Sequence, residues 1–255
     1  MKIIISPAMK MKVDCDSFPA RSHPQFLKQA KELAAFLQQC SFTQLQAIWQ
    51  SSERTTKEGQ EQIKQLNLAK TDNLTPAIIS YSGIQYQYMA PDLFSAQALD
   101  YVQENVRILS GLYGVLRPFD GVWPYRLEMK NKATGFTEPN LYHYWGEKLA
   151  DNLFGEDHIL INLASKEYSK NIAPYVTKTR RMITIDFQEF VKGKWKTVGV
   201  HAKMARGEMV RFAAEHQLTK PEELQKFNDF GFQYIAQEST TDNYVFRTEF
   251  DFKRR

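Results

Sequence analysis

The chain has 255 residues, 43% of them hydrophobic and 13% aromatic, which is enough apolar surface for one sizeable core and makes a single domain the expectation. Its two cysteines, Cys15 and Cys40, show no CxxC spacing and no accompanying histidine cluster, which excludes a disulfide framework and a structural zinc site; neither metal nor cofactor is expected. No run of about 18 apolar residues occurs, and the opening MKIIISPAMKMK is too briefly apolar for a secretory signal, so the sequence reads as cytoplasmic with no membrane partner.

Lys2 to Ile5 is a short apolar run stopped by Ser6 and Pro7, the pattern of a buried strand that delivers a loop to the edge of a site. Phe26, Leu27, Ala30, Leu33, Ala34 and Leu37 recur at helical spacing, so the pattern predicts an amphipathic helix over 24–39. Ser41 followed by Gln44 has the form of a capping box and opens a second helix with Leu45, Ile48 and Trp49 as its apolar stripe. Beyond Ser51 and Ser52 a polar helix is predicted over 53–66, which makes 42–66 a helix, tight turn, helix pair. A strand follows over 76–82 and a helix over 95–106. Leu109 to Met129, LSGLYGVLRPFDGVWPYRLEM, sets three glycines and two prolines among Arg117, Asp120, Arg126 and Glu128, and reads as a rigid shaped loop of the kind that carries function. The same four charges also fit pairs that simply brace a turn.

In the second half 158–163 is a buried strand, and Ser165 suits the N-cap of a helical SKEYSK segment. Strands over 182–187 and 195–200 are joined by a hairpin-like turn at 191–194; a helix covers 204–216, and 244–252 alternates as a strand with one buried face. Strands and helices mix without a regular βαβ repeat, so the expected class is α+β: a single domain with a mixed sheet surrounded by helices.

Charge is unevenly spread. From Lys166 to Arg211 eleven basic residues face four acidic ones, a surplus of seven in a chain whose net charge is +4. A polyanion is the natural partner for such a segment, although a solvated surface has the same composition. Lys203 and Arg206 share a helix face at i, i+3, and with Lys166, Lys170, Arg211, Arg117 and Arg126 they form a set able to line a groove for a sugar-phosphate backbone. Ser6, Lys10, Tyr113, Tyr125, Glu128, Asn162, Ser165 and Tyr168 come from loops and strand ends and form a candidate cleft. No GxSxG, HxxxH or DxD pattern accompanies them, so no reaction is assigned. Tyr113, Trp123, Tyr125, Tyr142, Tyr144 and Trp145 either offer faces to unpaired bases or fill the core. Cys15 stands between Asp14 and Asp16, whose charge disfavours a thiolate, and His143 and His201 read as structural.

LSGLYGVLRP, YRLEM, LYHYWG over 141–146, INLAS over 161–165 and AKMARGEMVRF over 202–212, preceded by ISPA at 5–8, occur in an order that resembles the YaaA peroxide-stress family. The resemblance implies a fold peculiar to that family with a helix-hairpin-helix DNA-binding element at the 42–66 pair. It also implies DNA as partner, bound with little sequence specificity and protected from iron-driven oxidative damage. Arg54 and Lys57, just past the turn, then join the DNA-binding set. Two departures stand out: Ser51 and Ser52 replace the usual hairpin glycine, and SPAKT reads here as Ser6, Pro7, Ala8, Met9, Lys10. An enzyme acting on a nucleic acid or nucleotide in the same cleft is the alternative, an iron-binding protein the second. A monomer is expected.

Overall fold

The computed structural model describes residues 1–70, 72–136 and 140–252. Four fully packed positions make Lys2–Ile5 the first strand, β1; Lys2 is tolerated inside because its ammonium donates to the Glu104 carbonyl at 2.8 Å. A short β2 (Lys10–Met11) follows, then the helices α1 (Leu27–Gln39), α2 (Phe42–Trp49) and α3 (Glu53–Gln65). The Ser41 and Gln44 box closes in both directions, and Ser52 caps α3 by accepting from the Thr55 N–H. In the turn between α2 and α3 the left-handed position falls on Gln50, with φ of 48°, in place of a glycine.

The 76–82 run is not one strand. It divides into the end of β3 (Thr75–Pro76), a helical turn α4 (Ala77–Ser80) and β4 (Tyr81–Ser82). All four α4 residues are buried, and a short run that is apolar throughout carries no periodicity to separate strand from helix. The Ala77 and Ile78 N–H groups donate instead to the carbonyls of Asp120 and Pro118. Next come α5 (Ile84–Met89) and α6 (Ala96–Asn105), the latter capped by Ser95, which accepts from the Ala98 N–H. The glycine-rich segment beyond is more regular than a loop, since β5 (Val106–Ser110) and β6 (Gly114–Leu116) pair as an antiparallel hairpin and β7 (Gly121–Val122) pairs with β3. The turn at 117–120 and the stretch 123–129 keep the irregular path expected of the whole.

After α7 (Leu141–Trp145) and α8 (Lys148–Glu156) come β8 (Ile159–Leu163), the short α9 (Lys166–Ser169), β9 (Arg181–Val191) and β10 (Lys194–Lys196). The β9–β10 turn uses positive φ at Lys192 and Gly193, as a two-residue hairpin requires. The second hairpin strand is shorter than its sequence suggests, because Gly199 and Val200 already belong to α10 (Gly199–Glu215). β11 (Gln233–Tyr234) and β12 (Asn243–Thr248) complete the chain, with β12 stopping four residues before the alternation does.

The main sheet has the order β11-β12-β9-β8-β1-β5-β6, with β10 paired to β9. From β12 to β5 all neighbours are parallel; both edges and the β9–β10 hairpin are antiparallel, so the sheet is mixed and the class is α+β. Tyr113, Tyr144 and Trp145 are buried in the core, which removes them as stacking platforms; Trp145 donates its Nε1–H to the Gly111 carbonyl at 3.0 Å. Among the described residues no helix is long and apolar enough to cross a membrane.

Candidate functional site

Ile5 of β1 lies in register with Leu163 of β8, so the two parallel strands end side by side and release their loops at one edge. There the Ser165 N–H donates to Ser6 Oγ at 2.8 Å, and the Ser6 hydroxyl donates to Ser165 Oγ at 3.2 Å. Ser165 holds the N-cap position of α9, yet its side chain makes no cap bond; the serine pair ties two loops together instead. On the other side of β1, Ser110 ends β5 with its Oγ 2.6 Å from the Tyr125 hydroxyl, which in turn lies 2.8 Å from the Tyr81 hydroxyl. Burial pushes the Tyr125 phenol up to about 12 against the pull of those two hydrogen bonds, so it is neutral at physiological pH.

These groups border a cleft of about 660 Å³ at the carboxyl ends of the parallel strands, the edge where sheets of parallel strands present ligand sites, and its size is that of a small-molecule site. Ser6, Lys10, Tyr125, Ser165 and Tyr168 all line it. So do Arg126, Glu128, Lys166, Lys203 and Arg206. Lys203 and Arg206 reach it from one face of α10, as their spacing requires.

The acidic side of the cleft is internally paired. Lys130 Nζ stands 3.4 Å from Glu128 and 3.6 Å from Glu167, and the Lys130 N–H donates to Glu167 Oε1 at 3.3 Å. Burial, with Glu128 close by, raises the Glu167 pKa; for Lys130 burial pulls the other way, but the two carboxylates outweigh it and its pKa rises. The cationic side is less fully compensated. Arg206 is desolvated enough for its pKa to fall, with Asp186 only partly compensating.

Two residues that line this cleft each carry a buried donor with no partner among the described residues: Gln85 Nε2 and Arg206 Nε. Leaving a buried donor unpaired costs about 1–3 kcal/mol, more when it is charged. The contact that brings them together is tight. A Cβ at Gly207 would lie 2.2 Å from the Gln85 carbonyl oxygen, so only glycine lets α10 rest on α5 here.

The remaining predicted residues lie elsewhere. Tyr113 is buried, its ring edge-on to Tyr125 and its hydroxyl accepting from the Trp123 N–H at 3.1 Å. Asn162 is inside the sheet, where it accepts from the Ala164 N–H and donates to Thr184. Arg117 packs beside Asp120, which accepts its backbone N–H at 2.8 Å. Lys170 lies over the Tyr142 ring, and Arg211 pairs with Glu215. Arg54 forms an exposed pair with Glu58 on α3, and Lys57 is exposed on the same helix. The helix pair nonetheless adjoins the cleft, because a Cβ at Gly59 of α3 would lie 3.2 Å from Arg126 Cδ and 2.8 Å from the Trp49 ring. Gln85, Lys130 and Glu167 are among the cleft residues that sequence reasoning missed. Nothing in GIQYQYM marks its first glutamine, whereas charged residues flanking YRLEM and INLAS were legible candidates.

The model of the family described as peroxide stress protein YaaA matches residues 1–238, which include every cleft residue. The chain belongs to this family. It is 58% identical over 254 residues to a UPF0246 protein of Lactobacillus helveticus and 56% identical over 254 residues to one of Lactobacillus acidophilus, with 100% of each chain covered. A UPF0246 protein of Lactobacillus johnsonii is 49% identical over 247 residues, 97% of both chains. Membership supports a role in peroxide stress. Most of the YaaA-like blocks meet at the cleft: ISPA brings Ser6, YRLEM brings Tyr125 to Glu128, INLAS brings Ser165, and AKMARGEMVRF brings Lys203 and Arg206. LYHYWG contributes core instead, through Leu141, Tyr144 and Trp145.

The two cysteines stay apart from the site. Cys15 is exposed with Sγ 3.0 Å from the Asn73 carbonyl, and burial raises the Cys40 pKa, the opposite of what a reactive thiol needs. His201 bonds Glu189 at 2.7 Å and stacks on Phe252. Among the described residues no three His, Cys, Asp or Glu side chains gather as a metal site.

Proposed function

We propose that this protein binds DNA through its phosphate backbone at the cleft, with little sequence preference, and so protects DNA from iron-driven damage during peroxide stress. The observation that carries this reading is the convergence of Lys10, Arg126, Lys130, Lys166, Lys203 and Arg206 on one concave surface against two acids, Glu128 and Glu167, that share Lys130. A surface of fixed cations gains affinity for DNA by releasing its condensed counterions, and such contacts carry no sequence information. The adjoining α2–α3 pair extends the surface through Arg126, with Lys57 exposed beside it.

Gel-shift titrations of unrelated duplexes at several salt concentrations test the reading. The expected result is similar affinity for each sequence and a log–log salt slope of roughly −3 to −5, at about 0.9 per neutralised phosphate. No shift at low salt would overturn it in favour of an enzyme acting on a small anionic substrate. That second reading draws on the half-buried Glu167 carboxyl, whose raised pKa, in a cleft that Tyr125 and the serine pair also line, suits proton transfer.

A further inference from the structure

Gln85 is 6% exposed and lines the cleft together with Arg206; Gln85 Nε2 and Arg206 Nε are both buried and have no partner among the described residues. Buried N–H groups are nearly always satisfied, so two orphans in one cleft point to a ligand that satisfies them. The other orphaned side-chain atoms, such as Trp49 Nε1 and Asn171 Oδ1, belong to residues that do not line this cleft. Chance does not bring this pair together either, since the glycine contact between α5 and α10 holds them in place.

The chemistry around them is one-sided. Ser165 Oγ accepts from Ser6 and keeps its own proton for another acceptor; Lys203 and Lys166 add ammonium groups at the exposed rim. Amide N–H, guanidinium, hydroxyl and ammonium all supply donors here, while the cleft's two carboxylates, Glu128 and Glu167, are already engaged by Lys130. The complementary ligand offers only acceptors and carries more than one negative charge. A planar carboxylate brings two oxygens and one charge, whereas a tetrahedral dianion brings three acceptor oxygens and two charges to these donors at once.

We propose that Gln85, Arg206 and Ser165 form a subsite for a phosphate monoester, supplied by the terminal phosphate of a DNA strand. The strand end as source rests on the DNA reading above. An internal phosphodiester continues into the chain on both sides and rides over the rim, where Lys166 and Lys203 are exposed; a terminal phosphate needs to bring only one strand into a cleft of about 660 Å³ and reaches the buried Gln85.

The test compares the full chain's affinity for one duplex sequence carrying 5′-phosphate, 3′-phosphate or hydroxyl ends, with a deoxynucleoside monophosphate as a separate probe. A phosphate-ended duplex is expected to bind roughly tenfold more tightly than the hydroxyl-ended one, about the worth of one charge-assisted hydrogen bond. Gln85→Leu, which keeps the side chain's bulk and removes its donors, is expected to bring that ratio close to one. Phosphorus NMR of the phosphate-ended duplex needs no variant, and the terminal resonance is expected to shift on addition of wild-type protein. Binding of the monophosphate without any preference among duplex ends would keep the subsite and move its source to a free nucleotide. Equal affinity for all ends, no monophosphate binding and an unmoved resonance would overturn the subsite while leaving DNA binding intact. No binding of any duplex would instead overturn the DNA reading, and the monophosphate arm would still decide the subsite.

Discussion

Gly207 rests against Gln85 so closely that a methyl group in place of its hydrogen would stand 2.2 Å from the Gln85 carbonyl oxygen. The same contact fixes the backbone next to Arg206, one residue earlier, against that of Gln85, and both residues line the cleft. Helix packing and site geometry are therefore one feature. Replacing Gly207 by Ala gains about 1 kcal/mol of helix propensity but forces backbone apart at an overpacking cost of about 3 kcal/mol, for a net loss of about 2 kcal/mol. Urea unfolding measures it, and a more stable Gly207→Ala protein would show that the two helices separate freely.

Ser6 joins β1 to the loop after β8 by two hydrogen bonds. Ser6→Ala leaves the buried side of Ser165 short of an acceptor, with an expected loss of about 1–2 kcal/mol in stability and weaker DNA binding through a loosened cleft wall. Denaturant unfolding beside a binding titration checks both. A change in neither would mean that the pair is ornamental.

Glu167 gives a pH signature. Its folded pKa is raised, mainly by burial, so the folded state holds this proton more tightly than the unfolded chain does. The resulting stability is fully present below the ordinary value of 4.5 and is lost as pH rises through the folded pKa. Glu167→Gln is therefore expected to bind DNA more tightly than wild type at neutral pH, with the gap closing as pH falls through that pKa and Glu167 loses its charge. An affinity gap that is independent of pH contradicts this.

Tyr125 is the link between the cleft and the interior. Tyr125→Phe strips both Tyr81 and Ser110 of their shared hydroxyl partner, at an expected cost of about 1–2 kcal/mol in thermal or urea unfolding. Unchanged stability would imply that the two hydroxyls re-pair across the gap.

The sequence foreshadows the architecture where a pattern has one structural meaning. Ile3 to Ile5 sit in mid-sheet; the Ser41 and Gln44 pair closes its capping box; and the turn at Lys192 and Gly193 is a hairpin. Ala77 to Ser80 went astray because a four-residue apolar run fits a buried strand and a buried helical turn equally well. The 109–116 hairpin hid behind its glycines, which serve the turn and the close packing of Gly111 on Leu127 more than a loop. At the site, Lys203 and Arg206 were legible from helical spacing, whereas Tyr113 and Asn162 turned inward to satisfy partners that no local pattern reveals. Gln85 was invisible because its distinction, a donor with no acceptor, exists only in three dimensions.

The claim that DNA is held at the cleft is tested most directly by the salt dependence of duplex affinity in two double variants. Lys166 and Lys203 are exposed at the rim, so changing both to Ala removes charge without disturbing the core; Arg54 and Lys57 on α3 serve as the comparison, with Arg54 already paired to Glu58. The expected result is a salt slope reduced by about two units in the Lys166 and Lys203 variant and by less than one in the Arg54 and Lys57 variant. DNA bound with an unchanged slope after loss of Lys166 and Lys203 would contradict the account.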